Sequence, residues 1–345
     1  MINNYTFYES PQNKLHDFVI SFFNKIEFET TAFSEDFFIK EFYDNLVSRH
    51  TGILRKSLKN IYDIIKDWKQ IDKTLFCEAI RKSNDIKGIC NGDIIPWKEA
   101  DIPLEVRELT KTLFIKLYED VLKGSIFKEN YGGRLDHYHA FKKIAHNDYE
   151  FCPACGMVEM KTYEDKRTDQ YDHYLPKDIY PFSSVNFENL VPICIDCNSL
   201  EVKSNKDILS YTGKVFYPFE GNMDQIIIEI QIKTNNTDLS KIVWDIDYSC
   251  IIAKDEEIQA WKNVYNIESR HQTHVSGRIG KWYELYNDYM NDKELINDIP
   301  EIRIRANSYL RSLRKRKTLE KKSLEVLINT FDLIAREEAN KYSRF

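Results

Sequence analysis

Two close pairs of cysteines constrain this chain more than any other feature of its sequence. Cys152 and Cys155 enclose two residues, and so do Cys194 and Cys197. Each pair can supply two thiolates from one tight turn, and four thiolates around one ion form a structural zinc site. The alternative is four buried thiols packed as small apolar side chains. The repeated C-x2-C spacing favours zinc, which would join segments separated by 38 residues.

The residues between and beside the two pairs include chemical groups that a structural zinc site does not require. Asp172 and His173 are adjacent, Asn189 precedes the second pair by a few residues, and Asn198 directly follows its last cysteine. Asparagines are also common as turn residues and helix caps, so neither one indicates a function alone. Their combination with an Asp-His pair inside a zinc frame favours a catalytic site.

Four strings in this region resemble the HNH endonuclease family. They are CPACG (152–156), DHYLPK (172–177), YPFSSVNFENLVP (180–192) and CIDCN (194–198). The resemblance covers residues 152–205, about a sixth of the chain. It implies a ββα-metal module, with Asp172 and His173 on the first strand, Asn189 in a loop, and Asn198 on a helix that starts near the second cysteine pair.

The resemblance also implies a role for each polar residue. His173 would be the general base, Asn189 would orient it, and Asp172 with Asn198 would ligate a catalytic Mg²⁺ or Mn²⁺. The residue types suit phosphodiester hydrolysis, because histidine can take a proton from water and oxygen ligands can hold such a cation near the phosphate. Asn198 stands where the family usually has histidine, which leaves the choice of metal open. Lys203 is assigned no role.

The expected function is metal-dependent endonuclease cleavage of DNA, with RNA open as an alternative substrate. A second hypothesis keeps the zinc and drops the catalysis, giving a nucleic-acid-binding module that docks into a larger complex. A third, compatible with the first, is a regulated effector of a bacterial anti-phage or restriction system. That role would involve a partner ATPase or sensor protein and rests on analogy alone.

Length and hydrophobic patterning predict a chain of several units around this module. At 345 residues the chain has room for two or three. We predict an N-terminal helical domain (1–147), the HNH zinc module (148–212) and a C-terminal region with a β-hairpin followed by helices (213–345). The fold class is therefore mainly α with a central ββα-metal module and a small hairpin, α+β overall.

Periodicity locates individual elements in the two flanking regions. Apolar residues at helical spacing predict helices after Pro11, after Ser34, near Leu54 to Trp68, and after Pro103. Strict alternation at 228–232 and 244–248 predicts a β-hairpin whose turn contains Asn235.

The formal net charge of −6 differs from the basic balance usual in nucleic-acid-binding proteins. Either a local basic patch or a partner protein would then hold the DNA. The best local candidate lies within 303–322, and a solvated helix face is its alternative. The predicted nucleic-acid-binding residues are Arg311, Arg314, Lys315, Arg316 and Lys317.

Composition limits the cellular setting. No apolar run approaches the roughly 18 residues of a membrane helix, and the first ten residues do not resemble a signal peptide. Cys77, Cys90 and Cys250 are scattered, which is typical of reduced thiols rather than of a disulfide framework. We therefore expect a cytoplasmic protein that does not engage a membrane; its oligomeric state stays open.

Overall fold

Helices dominate the computed structural model, together with two antiparallel sheets of two strands each in the part of the chain it describes. The described residues are 2–144, 147, 149–221, 226–233, 238–252, 254–313 and 318–342. The predicted fold class, mainly α and α+β overall, is confirmed at this level.

Helices also fill the described chain before the first cysteine pair. In chain order they are α1 (Lys14–Ile26), α2 (Lys40–Phe42), α3 (Lys56–Ile65), α4 (Gln70–Lys82), α5 (Ile86–Cys90), α6 (Leu104–Lys116), α7 (Ser125–Tyr131) and α8 (Arg134–Lys143). Single π-helical turns follow α2 at Tyr43–Val47, precede α3 at Thr51–Arg55 and follow α6 at Leu117–Val121. The helices predicted after Pro11, Ser34 and Pro103 and near Leu54 are confirmed. The π-helical turns extend three of them, α2, α3 and α6.

Helix α1 forms because its apolar residues recur every three or four positions and face one side. Phe18 and Phe22 lie on this face and are both buried. The ring of Phe18 stacks on Phe42 with centroids 5.0 Å apart, and the ring of Phe22 stacks on Phe38 at the same distance. Aromatic packing across the segment after Ser34 therefore fixes α1 against α2.

Helix α4 is absent from the sequence-based prediction because a charged residue interrupts its apolar face. Lys73 lies at a buried position on this helix, beside Phe76 and Cys77. Its Nζ donates to the main-chain carbonyl of Glu29, which satisfies the buried ammonium. Periodicity cannot anticipate this contact, because the partner lies 44 residues earlier in the chain.

The strands lie in two separate hairpins. Strand β1 (Gln170–His173) pairs antiparallel with β2 (Leu190–Ile193), so that His173 lies opposite Leu190. Strand β3 (Ile226–Ile232) pairs antiparallel with β4 (Trp244–Cys250). The second hairpin confirms the predicted alternation, while Asn235 in its predicted turn lies outside the described residues.

The C-terminal region returns to helices, as predicted. They are α9 (Asp255–Val264), α10 (Ile267–Met290), α11 (Lys293–Asp298), α12 (Ile302–Ser312), α13 (Thr318–Leu327) and α14 (Leu333–Tyr342), with a π-helical turn at Ile328–Asp332. Helices α10 and α13 pack against the second hairpin. No helix in the described ranges combines the length and apolarity needed to cross a bilayer.

The helix expected near the second cysteine pair does not form. Residues 195–205 instead make a series of turns, and Asn198 lies in one of them. Ser204 adopts a left-handed backbone conformation with φ of 43°, which a continuous α-helix cannot contain. The region therefore has the two strands of the implied ββα module without its helix.

The buried apolar side chains form two cores, and the loop between β1 and β2 contributes side chains to one of them. The first core consists mainly of the helices before residue 132 and includes Phe182, Val185 and Phe187 from that loop. The second consists mainly of the cysteine region, the second hairpin and the C-terminal helices, with Ile2 and Tyr5. The predicted domain limits stay a prediction.

We expect the first core to respond sharply to a cavity. Replacing Ile61, which is fully buried, by alanine should destabilise the protein by about 2–5 kcal/mol. The matched change Ile71→Ala, at a side chain that is 67% exposed, should cost no more than about 0.5 kcal/mol. Chemical denaturation of the two variants measures the difference, and equal midpoints would contradict this packing.

Candidate metal centre and active site

The four cysteines of the two pairs converge as the spacing predicted. Their Sγ atoms all lie within 4.8 Å of one another, and all four residues are buried. Cys152 Sγ lies 4.0 Å from Cys197 Sγ, and Cys155 Sγ lies 3.9 Å from Cys194 Sγ. Zn–S bonds of about 2.3 Å in a tetrahedron place sulfurs about 3.8 Å apart. The four side chains therefore lie close to the arrangement that a zinc ion requires.

Main-chain amides direct the sulfurs inward. The N–H of Cys194 donates to Cys152 Sγ and the N–H of Cys197 donates to Cys194 Sγ, both over 3.4 Å. Gly156 closes the first turn by donating to the carbonyl of Cys152 over 2.7 Å, with a φ of 68° that glycine adopts freely. A Cβ at this position would also lie 2.9 Å from Ile2 Cδ1. Both reasons favour glycine after the first pair.

The C-terminal helices support the cysteine cluster. Arg270 on α10 donates from Nη1 to Cys197 Sγ over 3.4 Å, and its charge would offset part of the negative charge of four thiolates around a bound dication. The neighbouring His271 contacts the carbonyl of Cys155 through Nε2 over 2.9 Å. Trp261 Nε1 donates to the carbonyl of Ala154 over 2.7 Å. The bonds from His271 and Trp261 fix the first cysteine turn from outside, as supporting bonds commonly do around metal ligands.

Asp172 and His173 lie where the resemblance implies, on the first strand of the hairpin. Because they are consecutive in β1, their side chains leave opposite faces of the strand. Lys203 connects them, since its Nζ donates over 2.8 Å to Asp172 Oδ1 and over 2.8 Å to the main-chain carbonyl of His173. Sequence reasoning assigned no role to Lys203; its place shortly after the second cysteine pair is the signal that could have revealed it.

One oxygen of Asp172 has no partner. Asp172 is 2% exposed, and its Oδ2 accepts no hydrogen bond from any described residue. Burial raises the pKa of this carboxyl, while the ammonium of Lys203 opposes the rise. A buried acceptor without a donor needs a compensating group. Oδ2 is therefore the carboxylate oxygen left for a cation ligand, although it is closed to solvent in this structure.

His173 has a defined tautomer because its ring nitrogen contacts a carbonyl. Nε2 lies 3.0 Å from the main-chain oxygen of Ser184, and a carbonyl can only accept, so Nε2 carries the proton. Burial lowers the pKa of His173 to about 3, so the ring is neutral near neutral pH and Nδ1 keeps its lone pair. The edge of Tyr118 packs on the imidazole at a centroid distance of 4.4 Å. His173 is nevertheless only half-buried.

Asn189 fixes the loop between the two strands. Its Oδ1 accepts from the N–H of Leu175 over 2.7 Å, and its Nδ2 donates to the carbonyls of Leu175 and Ser183 over 3.0 and 3.2 Å. Ser183 directly precedes Ser184, whose carbonyl orients His173. Asn189 therefore acts on His173 through the loop rather than through a side-chain contact.

The structure does not join Asn198 to the other predicted site residues. Its Nδ2 donates to Gln170 Oε1 over 2.7 Å, at the opposite end of β1 from His173. No described hydrogen bond links the side chains of Asp172, His173, Asn189 and Asn198 to one another. The roles of Asn198 in catalysis and cation binding stay predictions.

The predicted basic patch is described only at its start. Arg311 is exposed near the end of α12. Arg314, Lys315, Arg316 and Lys317 lie outside the described residues. Their proposed contact with nucleic acid stays a prediction.

Comparison with known proteins yields no match: no family model, curated protein or solved structure is detectably similar to this chain. Membership of the HNH family is therefore a hypothesis that rests on the four strings and on the site described above.

Removing one cysteine of the cluster should release the metal. We expect the purified protein to contain about one zinc per chain, and Cys194→Ser to contain far less and to melt at a lower temperature, because structural zinc contributes to folding. Cys250→Ser is the matched control, since Cys250 lies on β4 outside the cluster. Elemental analysis and thermal melting test this. Equal zinc in all three proteins would contradict the assignment.

Proposed function

We propose that this chain is a metal-dependent HNH-type endonuclease that hydrolyses DNA phosphodiester bonds. The observation that carries the proposal is a half-exposed neutral imidazole, His173, whose Nδ1 is free of a proton. It lies on a short hairpin whose far end is joined to the buried cysteine cluster. A positioned base and a rigid frame are what hydrolysis by activated water requires.

His173 acts as the general base in this proposal. Nδ1 takes a proton from the attacking water. The Ser184 carbonyl, which accepts from Nε2, favours the imidazolium that forms and so opposes the lowering of the pKa by burial. Asn189 holds the loop that contains this carbonyl in place. The contact with Tyr118 limits rotation of the ring. These residues therefore orient the base before the substrate arrives.

Asp172 would hold the catalytic Mg²⁺ or Mn²⁺ through Oδ2. Because Asp172 and His173 leave opposite faces of β1, the cation and the imidazole would have to meet the same phosphate at the end of the strand. When bound, such a cation neutralises charge on the scissile phosphate and stabilises the departing oxygen. Lys203 fixes the carboxylate by binding its other oxygen. The same ammonium binds the main-chain carbonyl of His173, so it sets the position of Asp172 relative to the strand that carries the base.

A second candidate is a zinc module that binds nucleic acid within a larger complex without cutting it. Two contacts favour this candidate, because each leaves fewer oxygen atoms free to ligate a cation. The side chain of Asn198 binds Gln170, and one carboxylate oxygen of Asp172 binds Lys203. Salt-dependent DNA binding without cleavage in any divalent metal would support this candidate. The role as a regulated anti-phage or restriction effector, with a partner ATPase or sensor, is a further proposal that rests on analogy.

Plasmid nicking in Mg²⁺ or Mn²⁺ tests the proposed activity. We expect His173→Ala to lower the nicking rate by about 10²–10⁴-fold, the usual contribution of a general base. His139→Ala is the matched control, because His139 also contacts a main-chain carbonyl through Nε2, that of Asp165 over 2.9 Å, and lies on α8. Equal rates for the two variants would refute the role of His173.

A further inference from the structure

Two lysine side chains lie close to the ring of Tyr118, which packs on His173. Lys123 Nζ lies 4.6 Å from the ring centroid of Tyr118, and Lys177 Nζ lies 5.9 Å from it. Tyr118 in turn contacts the imidazole of His173 at 4.4 Å. Two ammonium groups are therefore held beside the candidate base, on the side of β1 that faces the N-terminal helices.

A third cation extends this group along the same face of β1. The guanidinium of Arg134, at the start of α8, lies 5.9 Å from the ring centroid of Tyr171. Tyr171 is two residues before His173, so both side chains leave the same face of the strand. Burial raises the pKa of the Tyr118 hydroxyl, and the positive charge of the nearby Arg134 opposes that rise. The three cations thus border one surface beside His173.

Two of the three cations form no direct ion pair within the described part of the chain. Lys177 is paired with Glu119. Lys123 and Arg134 are exposed and form no ion pair with a described residue, although the carboxylates of Glu119 and, more weakly, Asp120 lie near enough to raise the pKa of Lys123. Partial burial lowers the pKa of Lys123, and repulsion from Arg134 and Lys177 lowers it further. An anion bound between these groups would relieve that repulsion.

We propose that Lys123 and Arg134, with Lys177 beside them, form a binding site for the phosphates of the DNA backbone next to His173. The choice of DNA as the ligand depends on the endonuclease activity proposed above. A lysine supplies a point charge and an arginine a bidentate fork, and both are common partners of phosphate oxygens. Contacts of this kind position a strand without reading its sequence.

The site gives the N-terminal helical region a role in substrate binding. Tyr118 lies on the π-helical turn after α6, Lys123 follows that turn, and Arg134 begins α8. Only Lys177 comes from the cysteine region itself. A local field from three cations also reconciles DNA binding with the net charge of −6, because the charge near the site matters more than the total.

Fluorescence anisotropy with a labelled DNA duplex tests the site in the full-length His173→Ala protein, without added divalent metal, so that binding is measured apart from cleavage. We expect Lys123→Gln and Arg134→Gln each to bind roughly threefold to fivefold more weakly, the scale of an exposed ion pair. Each should reduce the slope of log K against log salt by about 0.9. Lys281→Gln, at an exposed lysine of α10, is the matched control and should bind like the parent.

The two proposals fail in different ways. If Lys123→Gln and Arg134→Gln both bind DNA with the affinity and salt slope of the control, the phosphate site is refuted. This holds even if the wild-type protein nicks plasmid and His173→Ala does not. If the variants lose affinity and Lys123→Arg restores it, the site stands, even where no protein nicks DNA in any metal. A parent protein that binds no DNA at low salt would overturn the site. Because both side chains are exposed, their replacement should leave the melting temperature nearly unchanged.

Discussion

The convergence of four thiolates is the interaction on which the rest of the site depends. Strands β1 and β2 have only four residues each, and a two-stranded hairpin of this size is at best marginally stable in water. The cysteine pairs precede β1 and directly follow β2, so a zinc ion between them would close the hairpin at one end. Structural zinc contributes about 10–16 kcal/mol to the folding of small peptides, far more than such a hairpin supplies.

The other end of the hairpin depends on the N-terminal helices. Ser184 Oγ donates to the carbonyl of Phe114 on α6 over 2.7 Å, while the carbonyl of Ser184 accepts from His173. Phe182 packs edge-on against Phe114 at 5.4 Å within the first core. The imidazole of His173 is therefore oriented by a loop that is itself anchored in the helical region. Changes in that core would reach His173 through two hydrogen bonds, which couples the stability of the helices to the geometry of the site.

Sequence reasoning succeeded where the signal is local and failed where it is not. The spacing of Cys152 and Cys155 and the alternation in β3 and β4 are short-range patterns, and the structure forms both. Turns at 195–205, with Ser204 left-handed, replace the helix implied after the second cysteine pair, and no short-range pattern in the sequence indicates this. Lys203 and Tyr118 reach Asp172 and His173 across 31 and 55 residues of chain, so only the folded structure reveals them.

X-ray absorption at the zinc edge of the purified protein tests the central claim most directly, because it reports the number and type of ligand atoms. The account predicts four sulfur ligands at about 2.3 Å and no nitrogen or oxygen ligand in the first coordination shell. Nitrogen or oxygen ligands at about 2.0 Å in place of sulfur, or a protein that folds fully without zinc, would contradict it.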